Sequence, residues 1–172
     1  MWLLWLLAAF ILAFGFVVFR GAPYVPSKKL DVRRSLSELY PIGEDDLLVD
    51  IGSGDGIVLR EASRRGARAV GYELNPILVL ISNIACRNSP GTETFLADFW
   101  NVHFPEDTTV VYTFGESRDI AKMAQKIARE ATRLNRPLKF ISYGFEVPGH
   151  IPIGNEGAHY LYRIEPLQID KA

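Results

Sequence analysis

Three glycines at alternate positions, Gly52, Gly54 and Gly56, follow Asp50 in the run Val49-Asp50-Ile51-Gly52-Ser53-Gly54-Asp55-Gly56. Glycines at that spacing let the backbone turn sharply and let a ligand approach with no Cβ in its way. Two further carboxylates lie downstream, Glu73 in Gly71-Tyr72-Glu73-Leu74 and Asp98 in Ala97-Asp98-Phe99. A carboxylate placed like Glu73, 23 residues after Asp50, can accept both hydroxyls of a ribose. One placed like Asp98 can accept the amine of an adenine, with Phe99, and secondarily Leu74, against the ring face. Asp50 is suited to a ligand ammonium. Each acid alone is as well explained as a solvated loop residue or a helix cap. Three of them beside one glycine turn read as one cofactor site.

A site of this kind needs strands to carry its acids. Asp46 to Ile51 is a short apolar run that opens into the glycines, the pattern of a buried strand. Ile57 to Arg65 has helical character and stops at Gly66. Ala67 to Tyr72 is a second strand, and Asn75-Pro76 starts the helix Ile77 to Asn88, with Asn as cap and Pro at the first position. Thr92 to Ala97, Thr108 to Phe114, Leu138 to Phe145 and His159 to Ile164 complete the predicted strands. A helix to Leu134 is capped by Ser117, with Asp119 in its first turn. Leu30 to Tyr40 is a short helix ended by Pro41 and Gly43. Alternation of this type predicts an α/β fold, a doubly wound and mostly parallel sheet with ligands beyond the carboxyl ends of its strands. The expected division is 1–19, 20–40 and 41–172: an apolar anchor, a basic connector with a short helix, and the catalytic domain.

The 172 residues suffice for one core, and the composition, 48% apolar and 23% charged, is that of a globular chain. A net charge of -1 provides no global field for nucleic acid, and none is expected as a partner. The single cysteine, Cys86, excludes an internal disulfide and a cysteine-based zinc site. His103, His150 and His159 have no ligand spacing and read as structural or exposed, so no metal is expected.

Met1 to Phe19 contains no charge, and as a helix it would extend roughly 28 Å, close to the hydrocarbon thickness of a bilayer. Trp2 and Trp5 suit a headgroup boundary. A cleaved signal peptide competes with this reading but lacks a basic start and a small-residue cleavage site. Arg20, Lys28, Lys29, Arg33 and Arg34 follow the apolar run. The expected placement is therefore a single-pass membrane protein whose catalytic domain is cytoplasmic. The basic residues read equally well as a stop signal or as contacts to anionic headgroups.

A dinucleotide fingerprint would need its third glycine at position 57, where Ile57 stands. The pattern G-x-G-x-G after Asp50, together with Gly71-Tyr-Glu-Leu-Asn-Pro76, resembles the seven-strand S-adenosylmethionine-dependent methyltransferases. With the N-terminal apolar segment, Pro23-Tyr24-Val25-Pro26-Ser27 and Asp98-Phe99-Trp100, it is similar to the membrane-anchored protein lysine methyltransferases acting on the ADP/ATP translocase and the c-subunit of ATP synthase. The resemblance covers nearly the whole chain. It implies S-adenosylmethionine as cofactor and a membrane-embedded or membrane-adjacent protein as acceptor, with the bilayer engaged through the N-terminal helix. An acceptor lysine would react in an aromatic channel, for which Trp100, Tyr24, Phe114 and Glu116 are the candidates. A methyltransferase for a lipid or lipophilic small molecule is the alternative, and a non-enzymatic binder the third reading. Two departures stand out. Thr113-Phe114-Gly115-Glu116 is not the Asn/Asp-Pro-Pro-Tyr of amide and nucleobase methylators, and the short region after the fifth strand leaves room for fewer than seven strands.

Overall fold

A computed structural model describes residues 2–5, 27–115 and 118–168. Its centre is a seven-stranded sheet in the order β3-β2-β1-β4-β5-β7-β6. The five parallel strands are β1 (Leu47–Ile51), β2 (Arg68–Glu73), β3 (Thr92–Leu96), β4 (Val110–Phe114) and β5 (Leu138–Tyr143). β7 (His159–Ile164) runs antiparallel to β5, and β6 (Gly154–Glu156) pairs antiparallel with β7 at the edge. All five residues of β1 are buried, as a central parallel strand covered on both faces requires.

Alternate side chains on each strand enter two different cores. Leu48, Val110, Tyr112, Ile141 and Tyr143 meet α1 (Lys29–Arg34, extended by a π-type turn over Ser35–Leu39), α2 (Ile57–Ser63) and the end of α3 (Pro76–Cys86). Leu47, Val49, Ile51, Val111 and Phe140 meet α4 (Ile120–Arg133) on the other face. Strand order reverses between β1 and β4, so the crevice for a ligand opens above the carboxyl ends of those two strands.

The loop that carries Asp98 is fixed to α4 by a buried ion cluster. Glu130, 2% exposed, accepts from Lys126 Nζ at 2.7 Å, Arg133 Nε at 2.9 Å and the Phe104 amide at 3.2 Å. Lys126 also donates to the Val102 carbonyl at 2.6 Å. Burial opposes the charge of Glu130, but these donors overcome it and hold its carboxyl down at about 2.

Most expected elements lie within two residues of their observed bounds, and the differences have local causes. The sheet has the full seven strands, which corrects the room left for fewer. β6 is three residues containing a glycine and becomes a strand only by pairing Gly154 with Leu161 and Glu156 with His159. β5 stops at Tyr143 and not Phe145, because the Ser142 hydroxyl donates to the Phe145 carbonyl at 2.6 Å and the chain turns there. Asn75 caps α3 as expected, its side chain accepting from the Ile77 amide at 2.9 Å. The expected cap Ser117 lies outside the described residues.

The expected single-pass membrane placement is corrected. Among the described residues no helix is long and apolar enough to cross a membrane. Residues 6–19 of the expected span lie outside the described residues.

Candidate functional site

The carboxyl ends of β1, β2 and β3 bring the three acids to one edge of the crevice. Asp50, on β1, is 2% exposed and faces the same layer as Leu48 and Tyr112. Among the described residues it has neither a cationic partner nor a side-chain hydrogen bond. Burial first, then the charges of Glu73 and Asp55, push its carboxyl well above the usual range. A buried, unpaired carboxylate with like charges beside it is a receptor for a cation.

Glu73 ends β2, half-buried, and two backbone amides aim its carboxylate. The Gly54 amide donates to Oε2 at 3.0 Å and the Asn75 amide to Oε1 at 2.8 Å. Each oxygen keeps a free lone pair for a diol, and the glycine turn is tied to the acid it serves. The turn itself is fixed from beneath, since the Gly52 and Ser53 amides both donate to the Tyr72 carbonyl, at 2.9 and 3.2 Å. A Cβ on Gly52 would meet nothing within 4 Å, so the space above the turn is open to a ligand. Gly56 differs. A Cβ there would come within 2.3 Å of Ser82 Oγ and 3.0 Å of Cys86 Sγ, so this glycine allows α2 to pack on α3.

Asp98 follows β3, half-buried, and caps the 3-10 turn Phe99–Asn101 by accepting from the Trp100 amide at 3.1 Å and Asn101 Nδ2 at 3.0 Å. Phe99 packs against the α4-side core, and its ring lies 4.3 Å from that of Trp100. Leu74, 38% exposed, stands at the mouth beside Glu73.

At the carboxyl ends of β4 and β5 an aromatic cluster packs in the α1-side core. Phe114 ends β4, and its ring lies 4.4 Å from Tyr143. Tyr143 stacks flat on His159 at 4.1 Å and donates its hydroxyl to Asp31 Oδ2 at 2.9 Å. Burial, then the bond to Asp31, raise the Tyr143 phenol to about 12. His159 is 1% exposed, and burial lowers it to about 4 against the opposing charge of Asp31. The neutral imidazole accepts from the Tyr112 hydroxyl through Nε2 at 2.8 Å.

The expected cofactor residues Asp50, Gly52, Gly54, Glu73, Leu74, Asp98 and Phe99 thus converge on one crevice, with Gly56 beneath it. Trp100, 36% exposed, stands at the rim against Phe99. Tyr24 and Glu116 lie outside the described residues. Tyr112, Tyr143 and His159 carried no spacing signal, because they meet only through the β5–β7 register that sets Tyr143 opposite His159.

A parallel sheet flanked by an antiparallel β7, with a glycine turn at the reversal point and acids at three successive strand ends, is the Rossmann-like methyltransferase fold. An RNA methyltransferase from Salinibacter ruber, solved with S-adenosyl-L-homocysteine, superimposes with a TM-score of 0.72 over 86% of this chain and 98% of its own, at 26% identity. The chain belongs to the ANTKMT methyltransferase domain family, whose model matches residues 50–154. The ATP synthase c-subunit lysine N-methyltransferase of Xenopus laevis is 35% identical over 76% of this chain and 56% of its own length. Its Homo sapiens counterpart is 37% identical over 61% and 45%. A protein-lysine N-methyltransferase of Saccharolobus islandicus is 30% identical over 76% of this chain and 81% of its own. The chain thus spans about half the length of the two ATP synthase-directed enzymes that it matches.

Proposed function

We propose that the protein is an S-adenosylmethionine-dependent protein-lysine N-methyltransferase whose acceptor is a membrane or membrane-adjacent protein. The observation that carries this reading is the Glu73 carboxylate, aimed by the Gly54 and Asn75 amides and set between Asp50 and Asp98 at the ends of neighbouring strands. The donor set fits the cofactor. Asp50 holds an ammonium, Glu73 accepts two ribose hydroxyls, Asp98 accepts the adenine amine, and Phe99, with Leu74, covers the adenine face.

The cofactor supplies an electrophilic methyl group on a sulfonium, and the protein supplies alignment and exclusion of water. A lysine must arrive as the neutral amine, against a free pKa of about 10.4. Phe114, half-buried and backed by the Tyr143 ring, supplies the apolar surface that lowers it. Trp100 borders the approach, and Tyr24 and Glu116 are the other candidates for it from the sequence. Assignment to lysine rests on kinship with protein-lysine N-methyltransferases. The membrane acceptor rests on what two relatives' names state, the ATP synthase c-subunit and the adenine nucleotide translocase.

Incubation of the purified chain with native membranes and methyl-labelled S-adenosylmethionine tests the acceptor class. Label in a protein band, released on hydrolysis as methyl-lysine, is expected. Label confined to the organic-extractable fraction would replace this reading with a lipid methyltransferase.

A further inference from the structure

We propose that the outer surface of the α1–α2–α3 layer is a docking face for an anionic lipid bilayer, cationic along α1 and the end of α2 and apolar along α3. No ionisable residue other than Cys86 occurs from Leu74 to Cys86. Only Ser82 and Cys86 of α3 are buried, while Ile77, Leu80, Ile81 and Ile84 are 43%, 60%, 44% and 58% exposed. Leu96 on the adjoining edge strand is 59% exposed. A helix facing water carries charge on its outer side, and α3 carries contiguous aliphatic surface instead.

The neighbouring helices supply the charge. Lys28, Lys29, Arg33 and Arg34 are exposed, with Leu30 among them at 57%. Glu61, 1% exposed, is shared by Arg33 of α1 and by Arg64 and Arg65 in the turn that ends α2. One buried carboxylate among three guanidinium groups leaves a net positive surface. Asp31, the nearest acid, is turned inward to Tyr143. Glu38 on α1, and Glu44 beside Gly66 at the end of α2, are exposed acids at this surface, against six Lys and Arg side chains, Lys28, Lys29, Arg33, Arg34, Arg64 and Arg65. In a chain of net charge -1, this clustering is a segregation of charge and not an excess of it.

Cations beside exposed aliphatic chains match the headgroup and acyl layers of an anionic bilayer. A nucleic acid would satisfy the cations alone, since α3 offers no aromatic ring for a base to stack on. This contact belongs to the surface of the folded domain and requires no membrane-crossing segment. Leu74 and Ile77 continue the apolar face to the rim of the crevice. The surface therefore brings the candidate site to the level at which a membrane acceptor would present its side chains, and in that respect it rests on the reading proposed above.

Co-sedimentation of the full chain with phosphatidylcholine vesicles, with and without one-third phosphatidylglycerol, tests the inference. The wild type is expected to bind the anionic vesicles at least tenfold more tightly, at about fivefold per engaged cation, and to lose that preference in high salt. Lys29→Glu with Arg34→Glu abolishes the preference, and Leu80→Ser with Ile84→Ser weakens binding to both vesicle types. Lys29→Gln with Arg34→Gln repeats the test if the charge reversal perturbs the melting curve. Titration with S-adenosylmethionine is unchanged in every variant, which keeps a failure of this surface separate from a failure of the catalytic reading. Equal wild-type binding to the two vesicle types overturns the proposal, as does an unchanged preference in the charge variants. Variants that lose affinity for a mixed RNA pool while keeping the vesicle preference overturn it too, and assign the cations to nucleic acid.

Discussion

Glu73→Ala is expected to weaken S-adenosylmethionine binding by a hundredfold or more in a calorimetric titration. Two charge-assisted hydrogen bonds to a ribose diol, at roughly 1.5–3 kcal/mol each, are lost together. The effect is compounded because the same carboxylate anchors the Gly54 amide and so shapes the turn beneath the ligand. Glu73→Gln separates the two contributions. An amide retains the volume and one acceptor, but its NH2 faces one of the two backbone donors, so the turn loses a bond even where the diol keeps one. An affinity between those of wild type and Glu73→Ala is expected. A Glu73→Ala protein that bound the cofactor like wild type would remove this carboxylate from the site.

Gly56→Ala is expected to lower global stability by about 3 kcal/mol, read as a shift in the urea midpoint at constant m-value. Two costs add. The backbone sits at φ +74, a left-handed conformation that costs an L side chain roughly 1–2 kcal/mol. The new methyl also collides with Ser82 Oγ, which cannot rotate away freely because it is bonded to Thr94 Oγ1 at 2.7 Å. Ser82→Ala in the same chain removes that oxygen and should recover part of the loss, leaving the conformational cost. Full recovery would show that only the collision matters, and no recovery that only the backbone does.

The contrast between Gly56 and Glu73 shows what the sequence made legible. The position of the acids was readable because each lies at or just past the end of a strand legible in the sequence, and parallel strands bring their carboxyl ends to one edge of the sheet. Asp50, Glu73 and Asp98 needed no tertiary knowledge beyond strand order. The Asn75-Pro76 start of α3 was equally local, since cap and proline act within one turn. Gly56 looked like a third ligand glycine, but its demand comes from Ser82 and Cys86, whose approach depends on how α3 lies on α2. The Tyr112–His159–Tyr143 cluster depends in the same way on an antiparallel register that no spacing announces. β6 was invisible because three residues, Gly154 to Glu156, have no periodicity of their own. Met1 to Phe19 satisfied the composition rule for a membrane span, yet composition alone does not establish the placement, and no described helix meets the length that a crossing demands.

The glycine turn and its three acids are tested most directly by one titration, with the wild-type chain offered S-adenosylmethionine and, separately, NAD. A single saturable site for S-adenosylmethionine and no binding of NAD are expected, because Ile57 occupies the third-glycine position of a pyrophosphate site and the acids answer an ammonium, a diol and an adenine amine. Binding of NAD in place of S-adenosylmethionine, or of neither ligand to the folded protein, would contradict that assignment.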